Sequence, residues 1–268
     1  MTRQSLDKSV SEGSTERIVP ERCLSLTVRG PWGHFRRVEG NIVKQTYRII
    51  PRTTIAGLLA AVLGIGRDEY YDLFGPDASA VAIEPVRELR TVNMPMNTLS
   101  TAAGDLTSLN GRGKISIKLP DPTNLRQQHN YEVLVEPAYR IDVWLSDADR
   151  FEELASMLDA GKSHYVPSLG LSEHLADIEF HGVFDIEPID EGAERVEIDS
   201  AVPGGFDDVI MDAGHRCQIE ESPAFMTADQ GGRTTTAFTT YAYNPDAGPL
   251  TVSGADAARV GDRTVVFV

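Results

Sequence analysis

Two cysteines, five lysines and no long apolar run distinguish this chain of 268 residues. Cys23 and Cys217 lie almost a chain length apart, so neither a disulfide framework nor a cysteine-based zinc cluster is available. Both are expected to be plain packing residues. The longest apolar run, Ile55 to Ile65, falls well short of the roughly 20 residues that cross a bilayer. It reads as a buried helix. The stretch Met1 to Arg22 is polar and mixed in charge and lacks the apolar core and small-residue cleavage site of a secretory signal. The expectation is a cytoplasmic protein with no membrane partner.

Lysine is scarcer still in context. Of 25 basic residues only Lys8, Lys44, Lys114, Lys118 and Lys162 are lysine, against 40 acids and a net charge of -15. Such a balance is typical of proteins adapted to molar salt and predicts a halophilic, archaeal source. The acidic surface is then a solubility device, and only local departures from it inform about partners. Two departures occur. Arg29, Arg36, Arg37, Lys44, Arg48 and Arg52 face a single acid, Glu39, in the window from Arg29 to Arg52. A weaker basic window runs from Arg87 to Arg126. Asp177 to Asp199, by contrast, holds nine acids against Arg195, so one cationic and one anionic face are expected.

The periodicities predict an α+β protein. Residues 1–20 hold few apolar residues and no period and are expected to be a disordered tail. Cys23 to Val28 reads as a buried strand ended by Gly30-Pro31. Thr53 or Thr54 can cap a helix from Ile55 to Leu63, with Gly64 as its left-handed stop. Ala80 to Ile83 and Tyr139 to Leu145 are strand candidates. A second helix opens at Ser146 with Asp149, its stripe being Phe151, Leu154, Ala155 and Leu158. Ile178 to Ile186 closes the series. Strand, helix, strand, strand, helix, strand is the ferredoxin-like split βαβ order also used by RNA-recognition domains. This domain is expected over 21–188. Between its second and third strands, about 90–136 is too long for a turn and reads as an inserted β-hairpin thumb. Residues 189–268 suggest a small β-rich C-terminal region.

Gly33-His34-Phe35-Arg36-Arg37 after the first strand, and Pro51 to Leu58 opening the first helix, make the chain resemble the Cas-five family. These are RAMP-superfamily subunits of type I CRISPR complexes. Pro167-Ser168-Leu169-Gly170-Leu171-Ser172-Glu173 adds a weaker match, and Pro223-Ala224-Phe225-Met226 a looser one. The resemblance covers about 23–186. It implies a Cascade subunit that caps one end of the complex and cradles the five-prime handle of the crRNA. It also implies contact with the backbone and large subunits, and with target DNA only indirectly.

The residues have their own readings. Arg36, Arg37 and Arg52 suit phosphate or base-edge contacts, or else surface ion pairs. The helix start at Thr53 and Thr54 could hold a phosphate or simply be a buried cap. Trp32 and Phe35 could stack on splayed bases or fill the core. His34 is a handle contact or a structural hydrogen-bonding residue. Asn93, Asn97, Lys114 and Lys118 could wedge or hydrogen-bond nucleotides, though loop polarity explains them equally well. One branch of the family cuts the guide precursor by acid- and base-assisted attack of a ribose 2′-hydroxyl. Tyr47, Lys114, Lys118, His34 and His129 fall in suggestive regions but form no recognisable triad by spacing. A non-catalytic role is expected, with an endoribonuclease and a protein-only interaction module as alternatives. No cofactor is called for: Gly161-Lys162-Ser163 ends a helix instead of opening one, and His215 with Cys217 has too few partners for zinc.

Overall fold

The computed structural model describes residues 20–37, 43–99, 126–189, 194–205, 208–211, 216–229, 232–253 and 256–268. Residues 1–19 of the expected tail over 1–20, and the middle of the insertion, with Lys114 and Lys118, lie outside the described residues.

Along the chain run β1 (Arg22–Arg29), α1 (Arg52–Leu63), β2 (Ser79–Pro85), β3 (Arg90–Leu99), β4 (Arg126–Val135) and β5 (Ala138–Leu145). They are followed by α2 (Ala148–Asp159), β6 (Asp177–Pro188), β7 (Gln218–Asp229), β8 (Gly232–Tyr243), β9 (Ala258–Val260) and β10 (Arg263–Val265). The fold is mixed α/β and mostly β, with two helices among the described residues. Its main sheet has the order β10-β9-β6-β1-β5-β2, every neighbour antiparallel.

Alternation in β1 builds the core. Leu24, Leu26 and Val28 turn to one face and meet Ile141 and Val143 of β5 and the buried sides of both helices. α1 is buried at Ile55, Leu59 and Val62 because it is apolar nearly all round, whereas α2 buries only its stripe of Phe151, Leu154, Ala155 and Leu158. Gly64 adopts φ +73°, and a Cβ there would meet His164 at 2.7 Å, so the α1 stop requires glycine. Both expected N-caps shift, that of α1 by two or three residues and that of α2 by one. The α1 cap is Pro51, with no side-chain bond, and the α2 cap is Asp147, whose carboxylate accepts from the Arg150 N–H.

The other face of the curled sheet carries a small apolar cluster of Cys23, Ala80, Ala82, Ile186, Val260 and Val265 beside a charged one. Val81 and Val268 exchange backbone hydrogen bonds of 3.0 Å, which returns the chain end to the β2 edge. From β10 on the opposite edge, Arg263 reaches across to Glu84 (2.9 Å), Asp142 (2.6 Å) and Ser25 (3.1 Å). One guanidinium thereby ties β10 to β2, β5 and β1. The C-terminal region is continuous with this sheet. It also forms a small core of Ile198, Val202, Ala242, Leu250 and Val252, and its β7–β8 hairpin lies against α1.

Candidate nucleic-acid interface

The Gly33–Arg37 and Pro167–Glu173 segments, far apart in sequence, pack together. His34 donates its backbone N–H to Leu169 (3.0 Å), and Gly170, at φ +92°, presses so close that a Cβ would sit 1.9 Å from the His34 carbonyl oxygen. Only glycine fits this contact.

His34 itself is 1% exposed. Its Nδ1 donates to the Glu132 carbonyl (2.8 Å), and its Nε2 is buried with no partner among the described residues. Burial is the main reason its pKa falls below the ordinary histidine value, so the ring stays neutral near pH 7. Phe35 is 2% exposed, packed 6.1 Å from Tyr139, and has no face for a base; of its two readings the core one holds. Trp32 is 36% exposed on a short strand paired with β4.

Half of the basic window is neutralised by acids that lie far away in the chain. Arg29 pairs with Glu179 (3.2 Å), Arg48 with Glu132 (3.2 Å) and Arg37 with Glu220 (3.7 Å), and Arg37 also covers the Tyr47 ring at 5.2 Å. Glu220 is a buried carboxylate. It accepts the N–H groups of Arg48 (2.7 Å) and Ile49 (2.9 Å), which holds β7 to the entrance of α1. Burial raises its pKa, against the pull of those N–H groups. Arg52 is no surface phosphate contact. It is 2% exposed and donates to the Phe74 carbonyl (2.9 Å), the Ser79 carbonyl (2.7 Å) and the Ser79 hydroxyl (2.8 Å). Thr53 and Thr54 begin a helix that carries no side-chain cap and no acid in its first turn.

Arg36 and Lys44 remain without an ion pair among the described residues, and they flank an aromatic row that sequence reasoning missed. β3 and β4 form an antiparallel ribbon from the Arg90–Val135 pair to the Leu99–Arg126 pair. Period-two alternation puts His129, Tyr131 and Val133 on one face and Gln128, Asn130 and Glu132 on the other. Tyr131 stands between His34 (centroids 5.1 Å apart) and His129 (6.4 Å), and Lys44 is its partner in a short parallel pairing. Asn93 and Asn97 are exposed and pair with Glu132 and Gln128 on the opposite face. The alternation His129-x-Tyr131-x-Val133 was the available signal. Half-exposed aromatics beside unpaired cations can stack bases and hold phosphates.

No curated protein matches the chain. Among solved structures, a chain of a "CRISPR RNA-guided surveillance complex" superposes with a TM-score of 0.50 at 14% identity, covering 87% of this chain and 95% of its own. Weaker similarities are to "Crystal structure of Cas protein" (TM-score 0.40, 14% identity, 84% and 95% covered) and to a chain of a type III-B Cmr-beta complex bound to cognate target RNA (TM-score 0.42, 9% identity, 85% and 86% covered). A family model described as CRISPR-associated protein (Cas_Cas5) matches residues 23–180, which is more than half of the sequence. The chain belongs to the CRISPR-associated Cas5 family.

Proposed function

We propose that this chain is a crRNA-holding subunit of a type I Cascade complex, which grips the five-prime handle, caps one end of the assembly and does not cut the RNA. The observation that carries the reading is the Tyr131–His129 row flanked by Arg36 and Lys44, which have no ion pair among the described residues. A ferredoxin-like reading of the domain is supported by the four-strand order β6-β1-β5-β2, with α1 and α2 each joining two of its strands. The assembly partners are the backbone and large subunits, and target DNA is met through the guide. Among the described residues no helix is long and apolar enough to span a membrane. Two of the groups a cleavage reaction could use are badly presented, since Tyr47 is buried and His34 keeps its Nε2 away from solvent.

The charge balance supports a salt-rich cytoplasm as the working environment. There the Debye length is about 3 Å at 1 M salt, so stacking and short hydrogen bonds must carry the affinity. Purification of the tagged chain from its native cells at high salt, with sequencing of co-purifying RNA and identification of accompanying proteins, tests the reading. Short RNAs sharing one repeat-derived five-prime end, together with other Cascade subunits, are expected. An intact complex without such RNA overturns it in favour of a protein-only module, and conversion of guide precursor by the pure chain overturns the non-catalytic part.

A further inference from the structure

A cavity of about 310 Å³ lies between the first turn of α1, the 70–78 loop and the β7–β8 hairpin. Its lining combines aromatic rings (Tyr70, Tyr71, Phe74 and Phe225) with the carboxylates of Asp72 and Asp77. That size is at the lower end of small-ligand pockets, which run from roughly 300 to 1,000 Å³, and suits a single nucleoside.

Two features show that the aromatic wall is held in place. The Arg52 guanidinium covers the Phe225 ring at 4.2 Å, and no carboxylate among the described residues pairs with it. Its Nε is buried without a partner among the described residues. An uncompensated buried cation is costly, so its retention behind this ring needs a reason. A cation on one face of a ring draws electron density toward itself, leaving the ring a better partner for an electron-rich base stacked on it. At the mouth, Asp68 accepts from Arg233 of β8 (2.5 Å) and from the Tyr71 hydroxyl (2.7 Å), which latches the hairpin to the loop.

The acids decide the ligand class. Two carboxylates disfavour a phosphate but accept N–H donors, and guanine offers N1–H and the 2-amino group side by side to a single carboxylate. We infer that this cavity takes one splayed guanine of single-stranded RNA, stacked on Phe225 and read on its Watson–Crick edge by Asp72 or Asp77. This rests on the RNA-holding reading. The two sites can be served by one strand: β7 runs from Glu220, which contacts Arg37, to Phe225, roughly 16 Å at 3.3 Å per residue.

The test uses the full chain and two probes. Guanosine and inosine, which differ only in the 2-amino group, are titrated by calorimetry. An oligoribonucleotide carrying one 6-thioguanosine is cross-linked and its attachment mapped by mass spectrometry. Guanosine is expected to bind at least tenfold tighter than inosine, and the cross-link to fall on Phe225 or Tyr71. Phe225→Leu, which keeps the apolar volume, should abolish both. D72N and D77N, exposed substitutions that leave the fold intact, should between them erase the preference for guanosine. RNA binding with no cross-link in this cavity and no effect of Phe225→Leu overturns the inference and leaves the RNA-holding reading standing. Loss of RNA binding by the unaltered chain overturns that reading, while guanosine bound through Phe225 would still support the cavity.

Discussion

The two faces of the main sheet are made by the same strands and held by different physics. Toward the helices, Leu24, Leu26 and Val28 meet Ile141 and Val143, and stability there is a sum of small, interchangeable apolar contacts. On the curled side, beside a small apolar cluster around Cys23, Ala82 and Val260, Ser25, Glu84 and Asp142 converge on Arg263, and Ser25 also hydrogen-bonds Asp142. Burial works against the Arg263 charge, but the hydrogen bond and charge of Asp142 outweigh it and raise the pKa. Burial still raises the pKa of Glu84 despite its contact with Arg263, so the cluster holds Asp142 as its main counter-charge. An apolar face degrades gradually, whereas a buried charge cluster fails as a unit.

Breaking that contrast gives the largest effect. Arg263→Ala strips Asp142, 1% exposed, of its ion-pair partner, leaving only the charge of Arg140 near it, and should cost about 3–5 kcal/mol in chemical denaturation. Leu26→Ala on the other face should cost about 2–5 kcal/mol. The faces separate in the multiple variant. Replacing Arg263, Asp142 and Glu84 together by Met, Leu and Leu should recover most of the loss, because a well-packed apolar substitute often matches a buried ion cluster. No second substitution restores Leu26→Ala in this way unless it refills the cavity. If the triple variant is no more stable than Arg263→Ala, the cluster has been misread.

A smaller effect probes the contact between the Gly170 turn and His34. Gly170→Ala places a methyl against the His34 carbonyl at a left-handed φ and should cost more than about 1 kcal/mol. The nearby histidines sharpen the point through pH. Burial lowers the pKa values of His34, His174 and His181, so each binds fewer protons folded than unfolded. Stability should therefore be fully present above the unfolded value of about 6.5 and fall as pH drops below it. Thermal melts between pH 7.5 and 5 should show the decline, and His34→Gln should flatten it. A melting profile independent of pH in that window would contradict the neutral buried rings.

Much of the scaffold was legible because it obeys local rules. β1, β2, β5 and β6 follow apolar patterning, α2 follows its stripe, and Gly64 marks the stop of α1, each within a few residues of where the sequence places it. The site was less legible because charge cancels through space. The run from Arg29 to Arg52 looks strongly cationic in one dimension, yet Glu132, Glu179 and Glu220, over 80 residues further on, neutralise three of its members. Arg52 turns inward onto carbonyls, and nothing in its neighbours in sequence signals that. Tyr131 was overlooked since its importance depends on His34 lying beside it, a pairing between residues 97 positions apart.

The smallest effect on stability is expected at the proposed RNA contacts, and this separates them from both faces of the sheet. Arg36 is exposed and Lys44 half-buried on a short strand, without ion pairs among the described residues, so Arg36→Gln and Lys44→Gln should each shift stability by less than about 0.5 kcal/mol. Their effect belongs in the salt dependence of RNA binding. Each phosphate contact removed from a single strand should lower the slope of log affinity against log salt by about 0.7. Tyr131→Ala acts by stacking instead. It should weaken binding by about 1–3 kcal/mol at every salt concentration with the slope unchanged. In molar salt the ranking should therefore invert, Tyr131 mattering more than Arg36 or Lys44. Equal losses from the three variants in high salt would mean that charge, and not the aromatic row, holds the RNA.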